Sequence, residues 1–168
     1  MRLQETLESA GDVILNVGRE FGEVFGRSYE CLLWKYRTDG ADTVLLTMGS
    51  LANEATLAVD TLREQGCKAG VVALRVFRPF PAEALRQALS EAKHVVIFDK
   101  NISYGNEGAT STETKAALFE GGLRPRITNY IVGLGGKNIA AADLEAATQE
   151  ALKRKVQVNG PQWLGVAV

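Results

Sequence analysis

A chain of 168 residues, 46% apolar and 23% charged, can bury one proper core and has the composition of an ordinary soluble globular domain. Its formal net charge of −1 argues against a basic footprint for nucleic acid and against an acidic tail. No apolar run reaches the roughly 20 residues that cross a bilayer, and the opening Met1-Arg2-Leu3-Gln4-Glu5 lacks the apolar stretch of a secretory signal, so a cytoplasmic protein without a membrane partner is expected.

The N-terminal stretch reads as helix. Leu3, Leu7, Ala10, Ile14, Val17, Phe21 and Val24 recur in steps of four and three, one stripe of a helix. Gly11, Gly18 and Gly22 weaken it, each by about 1 kcal/mol relative to alanine. A split into two helices near Gly11 is therefore one expectation, and Gly26 is a natural stop. Such a helix either packs on its own domain or connects to something beyond it. Tyr29–Tyr36 reads as a strand, followed by the apolar strand Thr43–Met48. Gly49-Ser50 turns the chain into a helix running to about Gln65, ended by Gly66. Ala69–Val76 is the next strand. Pro81 fits the first turn of a helix that continues to about Ala92. His94–Phe98 is a buried strand stopped by Asp99. A loop with Gly105 and Gly108 leads to a helix near Thr110–Glu120, which Gly121-Gly122 ends. Arg126–Val132 is a strand, and a glycine loop then opens a helix from about Ala140 to Lys153. The remainder contains Gly160-Pro161 and reads as irregular.

Strands alternating with helices imply crossover units, and near-continuous apolar strands imply cover on both faces. The expected fold is α/β: three layers, α/β/α, around a mostly parallel sheet of about five strands. The expected organisation is a helical linker segment over residues 1–27, the α/β domain over 28–156 and an irregular tail over 157–168.

Two dense loops sit where an open parallel sheet meets ligands and partners, at the carboxyl ends of its strands. One is Arg75-Val-Phe-Arg78-Pro79-Phe-Pro81. Arginine offers a planar fork to carboxylate or phosphate, and the same pair serves equally as salt bridges or a domain contact. The other is Gly133-Leu-Gly135-Gly136-Lys137-Asn138. It fails the Walker pattern, with Ile131 at the first glycine and Asn138 after the lysine, and Asn138 also breaks the dinucleotide fingerprint. What remains is a glycine turn with one lysine before a helix. It can receive an anion, or it bends tightly against a neighbouring chain. Arg75, Arg78, Gly133, Gly135, Gly136 and Lys137 are thus candidates for anion binding or subunit contact.

No catalytic or metal set is complete. Asp99 reads as a loop anchor or helix cap, and His94 lies at the opposite edge from the ligand-meeting ends. Ser50 and Ser103 have no partner histidine on their edge, so a nucleophilic triad is unsupported. Cys31 and Cys67 are too few for an iron–sulfur cluster, which takes four thiolates, and zinc is no better served. Each reads as a small apolar residue.

Taken in order, Met48-Gly49-Ser50, the Arg75–Pro81 run, Phe98-Asp99-Lys100 and Asn129-Tyr130-Ile-Val-Gly133-Leu-Gly135-Gly136-Lys137 resemble the alpha subunit of 2-oxoacid:ferredoxin oxidoreductases, pyruvate:ferredoxin oxidoreductase (pyruvate synthase) in particular. Phe25-Gly26-Arg27-Ser28-Tyr29 resembles the segment leading into it, and the likeness runs from about Gly18 to Leu152. The resemblance implies the subunit's second domain, similar to the C-terminal domain of transketolases. It implies an enzyme that decarboxylates pyruvate on thiamine diphosphate, passes electrons through iron–sulfur clusters to ferredoxin and forms acetyl-CoA. In that family a preceding alpha domain contacts the aminopyrimidine, and the beta subunit holds the diphosphate and magnesium. The implied role of this chain is subunit contact, with no cofactor bound by it alone. Implied partners are beta, gamma and delta subunits and ferredoxin, with pyruvate and CoA as substrates of the complex. A second copy of the chain is left open as a partner. Two other readings stay open: the equivalent domain of another 2-oxoacid oxidoreductase or dehydrogenase, and a freestanding anion- or nucleotide-binding or assembly module.

Overall fold

In the computed structural model, which describes residues 1–165, the apolar runs form the centre of one twisted sheet. The strands are β1 (Leu33–Tyr36), β2 (Thr43–Met48), β3 (Ala69–Leu74), β4 (His94–Asp99), β5 (Arg126–Val132) and β6 (Gln162–Leu164). Their spatial order is β1-β3-β2-β4-β5-β6. β1 runs antiparallel to β3, and every other neighbouring pair is parallel. Leu45 of β2 lies level with Val71 on one side and Val96 on the other. The apolar central strands are buried because both faces are covered. Helices α2 (Leu51–Glu64) and α5 (Ala141–Lys153) seal Leu45, Val71, Val96, Phe98 and Tyr130 on one face. Helices α3 (Ala82–Ala88) and α4 (Ala109–Glu120) lie on the other, where Leu85 and Leu118 join Leu46, Val72 and Ile97. The three-layer α/β/α arrangement is thus as the strand–helix alternation implies.

Five local readings are corrected. The sheet has six strands, because Gln162–Leu164 leaves the expected irregular tail and pairs with Tyr130–Val132. The strand expected over Tyr29–Tyr36 starts at Leu33, where β3 first offers a partner. β3 ends at Leu74 and α3 at Ala88, both shorter than read. The N-terminal segment is one unbroken helix, α1 (Arg2–Phe25), ended by Gly26 in the left-handed conformation.

The glycines of α1 have a packing use. A side chain at Gly18 would sit 1.9 Å from Cys31 Sγ, and one at Gly11 would meet Pro79. Gly11, Gly18 and Gly22 share the side facing the domain, so the backbone itself comes close. No residue of α1 is buried, and Leu3, Val13, Val17 and Val24 are exposed beside that contact. No described helix is long and apolar enough to cross a membrane.

Candidate functional site at the carboxyl edge of the sheet

The strand order creates a topological switch. The chain leaves β2 for β3 on one side, then crosses to β4 on the other side of β2. The crevice beyond the carboxyl ends of β2 and β4 is where open α/β sheets receive ligands. Gly49 and Ser50 follow β2, and Lys100 follows β4. The loop after β5 is a single 3-10 turn, Leu134–Gly136, flanked by Gly133, and Gly133, Gly135 and Gly136 all have positive φ. That conformation disfavours any residue with a Cβ.

These loops enclose a cleft of about 270 Å3 lined by Ser50, Leu51, Glu54, Lys100, Gly136 and Lys137, among others. Lys100 Nζ stands 3.5 Å from Ser50 Oγ. Its stem crosses Gly133, where a Cβ would meet Lys100 Cε at 3.0 Å. Lys137 donates to the Gly165 carbonyl, which ties the glycine loop to the end of β6. Neither lysine has a carboxylate within ion-pair distance among the described residues.

The anion-receiving helix start expected after the glycine loop is already served. Glu54 accepts from Ala141 N at 2.9 Å, and Asp143 accepts from Ala140 N at 2.9 Å. Two of the chain's own carboxylates thus stand at the start of α5, where the helix dipole favours them.

The start of α4 is closed in the same way. Asp99, 1% exposed, accepts from Thr110 N at 3.1 Å, Ser111 N at 3.2 Å and Asn129 Nδ2 at 2.9 Å. Asn129 Oδ1 takes Gly108 N, and Asn101 Oδ1 takes Ala109 N. The four N–H groups that open this helix are therefore all held by side chains. Burial raises the Asp99 carboxyl above its usual range, opposed by these hydrogen bonds. Asp99 is the anchor and cap expected of it, and it fixes the strand end from which Lys100 projects.

The two arginines part company. Arg78 pairs with Glu113 at 2.5 Å and stacks on Phe77, 4.3 Å from the ring centroid, so it acts as a local brace. Arg75 is exposed and makes a distant contact with the Tyr29 ring, 5.9 Å from the centroid. It borders a second cleft of about 750 Å3, with Cys31, Trp34, Met48, Gly49 and Asn53. Arg75 and Lys137 therefore share an edge but line different clefts.

Other titratable groups lie elsewhere. His94 opens β4 at the far edge, where Arg126 Nε lies 3.1 Å from its Nδ1. Burial, then the Arg126 charge, lowers its pKa. Cys67 is half-buried at that same far edge, ahead of β3, and burial raises its thiol. Both cysteines are free.

Sequence reasoning did not single out Lys100, Glu54 or Trp34 as site residues. The available signal for Lys100 was its place just after a buried strand, but its neighbour Ser50 is set by strand order, which is not a local property.

A model of the pyruvate:ferredoxin oxidoreductase core domain II matches residues 41–144, from just before β2 to the first turn of α5. Among curated proteins, the ketoisovalerate oxidoreductase subunit VorA of Pyrococcus abyssi is 44% identical over 152 residues, which are 90% of this chain and 38% of that protein. The pyruvate synthase subunit PorA of Pyrococcus furiosus is 37% identical over 165 residues, 96% of this chain and 41% of that protein. The chain thus spans about two fifths of the length of these relatives. Among solved structures, a split-gene transketolase in an inactive beta4 tetramer has a TM-score of 0.51 at 23% identity, over 66% of this chain and 38% of that one. The 2-oxoglutarate:ferredoxin oxidoreductase of Magnetococcus marinus has a TM-score of 0.50 at 16% identity, over 67% of this chain and 18% of that one. At these identities the two structures speak for the fold.

Proposed function

The chain belongs to the pyruvate:ferredoxin oxidoreductase core domain II family, and from that premise we propose that it serves as the transketolase C-terminal-like domain of an alpha subunit in a cytoplasmic pyruvate:ferredoxin oxidoreductase. The complex would convert pyruvate, CoA and oxidised ferredoxin to acetyl-CoA, carbon dioxide and reduced ferredoxin. Partners in this reading are the beta, gamma and delta subunits and ferredoxin. The observation that carries it is the family match over residues 41–144.

An iron–sulfur cluster does not fit this chain's residues. Among the described residues no three His, Cys, Asp or Glu side chains gather as a metal site. The two cysteines sit on separate segments, whereas a cluster takes four thiolates. In this reading thiamine diphosphate, magnesium and iron–sulfur clusters belong to other parts of the complex. This chain's share is surface: a carboxyl edge carrying Arg75, Lys100 and Lys137. Such an edge suits contact with the rest of the assembly.

A second reading concerns the substrate. Similarity to a ketoisovalerate oxidoreductase subunit, at 44% identity, favours a branched 2-oxoacid. The deciding experiment purifies the chain with its co-expressed partner subunits and measures viologen reduction with CoA and thiamine diphosphate. Pyruvate and 3-methyl-2-oxobutanoate compete as substrates, and the ratio of their kcat/KM values separates the two readings. The chain by itself should show neither turnover nor calorimetric binding of thiamine diphosphate. Turnover by the isolated chain would overturn the contact role.

A further inference from the structure

We propose that the cleft between Ser50, Lys100 and Lys137 is a binding site for a phosphate group. The proposal does not depend on which 2-oxoacid the complex uses. Three observations carry it. The cleft lies at the topological switch between β2 and β4, with a volume of about 270 Å3. Lys100 and Lys137 both line it, and neither ammonium group is neutralised by a carboxylate within 4.0 Å among the described residues. Both lysine stems lie over glycines of positive φ: Lys100 over Gly133 and Lys137 over Gly165.

The last point is what separates this cleft from a casual pair of surface lysines. A Cβ at Gly165 would come within 2.9 Å of Lys137 Cε, and one at Gly133 within 3.0 Å of Lys100 Cε. The backbone at both places therefore makes room for a lysine stem, and both lysines line one cleft. Holding like charges together costs electrostatic energy unless an anion arrives. The Gly165 carbonyl accepts a hydrogen bond from Lys137 but leaves its charge in place. Ser50 adds a hydroxyl that rotates to donate.

Glu54 is the one carboxylate on the wall, and it is held by Ala141 N at 2.9 Å. Two ammonium groups with a hydroxyl match a dianion with several acceptor oxygens better than a carboxylate, which carries one charge. The ligand class is therefore inorganic phosphate or a phosphate monoester.

The test uses the full 168-residue chain and measures melting temperature and 31P line broadening. The probes are inorganic phosphate and glycerol 3-phosphate, with sodium chloride and sodium acetate at equal ionic strength. Phosphate probes should raise the melting temperature by mass action, and chloride and acetate should not. Lys100→Gln and Lys137→Gln should each weaken binding at least tenfold. Lys100→Arg and Lys137→Arg should retain it, which separates charge from fold. Lys155→Gln, away from the cleft, should leave binding unchanged. Tighter binding of glycerol 3-phosphate would mark a phosphate ester as the ligand, and tighter binding of inorganic phosphate would mark the free ion. Equal response to acetate, no shift with either probe, or an equal loss in Lys155→Gln would overturn the proposal. No redox activity enters this readout, so its failure is distinct from failure of the assembly reading.

Discussion

Replacing Asp99 tests the part of the structure that positions Lys100. The carboxylate accepts Thr110 N and, at 3.5 Å, Asn101 Nδ2 on one oxygen, and Ser111 N with Asn129 Nδ2 on the other. An asparagine there has one acceptor oxygen, and its NH2 must face a donor. The better orientation keeps the Ser111 and Asn129 bonds and leaves Thr110 N unpaired. One buried unpaired donor costs about 1–3 kcal/mol, so Asp99→Asn should lose that much in urea unfolding with an unchanged m-value. Asp99→Ala strands the three buried donors, besides the longer Asn101 bond, and should lose about 3–5 kcal/mol, toward the upper end of single-substitution effects.

The pH dependence adds a signature. Burial raises this carboxyl, so the folded state holds its proton above the ordinary value of 3.8. Between 3.8 and the raised folded value the native state binds more protons than the unfolded state. Its contribution to stability is present below 3.8 and is lost as pH rises through that window. Asp99→Asn has no such titration, so its deficit should narrow as pH rises across the window. A deficit below about 0.5 kcal/mol in Asp99→Ala, less than one net hydrogen bond contributes, would refute the anchoring account.

Three further outcomes follow from named contacts. Gly108→Ala would place a Cβ 2.0 Å from Asp99 Oδ2, though its φ of −64° suits alanine; the cost should be about 1–3 kcal/mol by overpacking, read as a lowered urea midpoint. Tyr130 donates to the Ala147 carbonyl at 3.0 Å, and burial pushes its phenol up to about 12. Its stabilising contribution should hold below pH 10 and be lost between 10 and about 12, and Tyr130→Phe should cost about 1 kcal/mol at pH 7 and remove that loss. His94 has a lowered pKa, so the native state binds fewer protons than the unfolded state just below 6.5. Stability should fall as pH drops below 6.5, and His94→Gln should flatten the fall in a denaturation series.

Where an element's signal is local, the sequence was enough. Thr43–Met48 and Arg126–Val132 read correctly at both ends, the first as a near-continuous apolar run bounded by Asp42 and Gly49, the second as a stretch bracketed by Pro125 and Gly133. β6 was illegible: Gln162-Trp163-Leu164 is too short for a pattern, and it becomes a strand only by meeting the open edge of β5. The continuity of α1 was ambiguous for a related reason. Helix propensity counts three glycines as defects, whereas packing uses Gly18 and Gly11 as close contacts with Cys31 and Pro79. The carboxyl-edge loops were placed correctly because strands joined by crossovers run parallel, which brings their carboxyl ends to one edge. The pairing of Lys100 with Ser50 was hidden, since it needs the order β3-β2-β4.

The groups with displaced titration show how labour is divided within the fold. Reactive sites depend on such groups lying open to a reacting partner. Here Tyr130 is bonded inside the core, and His94 and Cys67 lie at the amino edge of the strands. Asp99 reaches the carboxyl edge but has four donors fastened to it. What that edge offers outward is fixed positive charge: Arg75 in one cleft, Lys100 and Lys137 in the other. Fixed charge on a rigid sheet attracts and orients anions or acidic surfaces without exchanging protons with them. The rigid Asp99 anchor is what gives that charge a defined address.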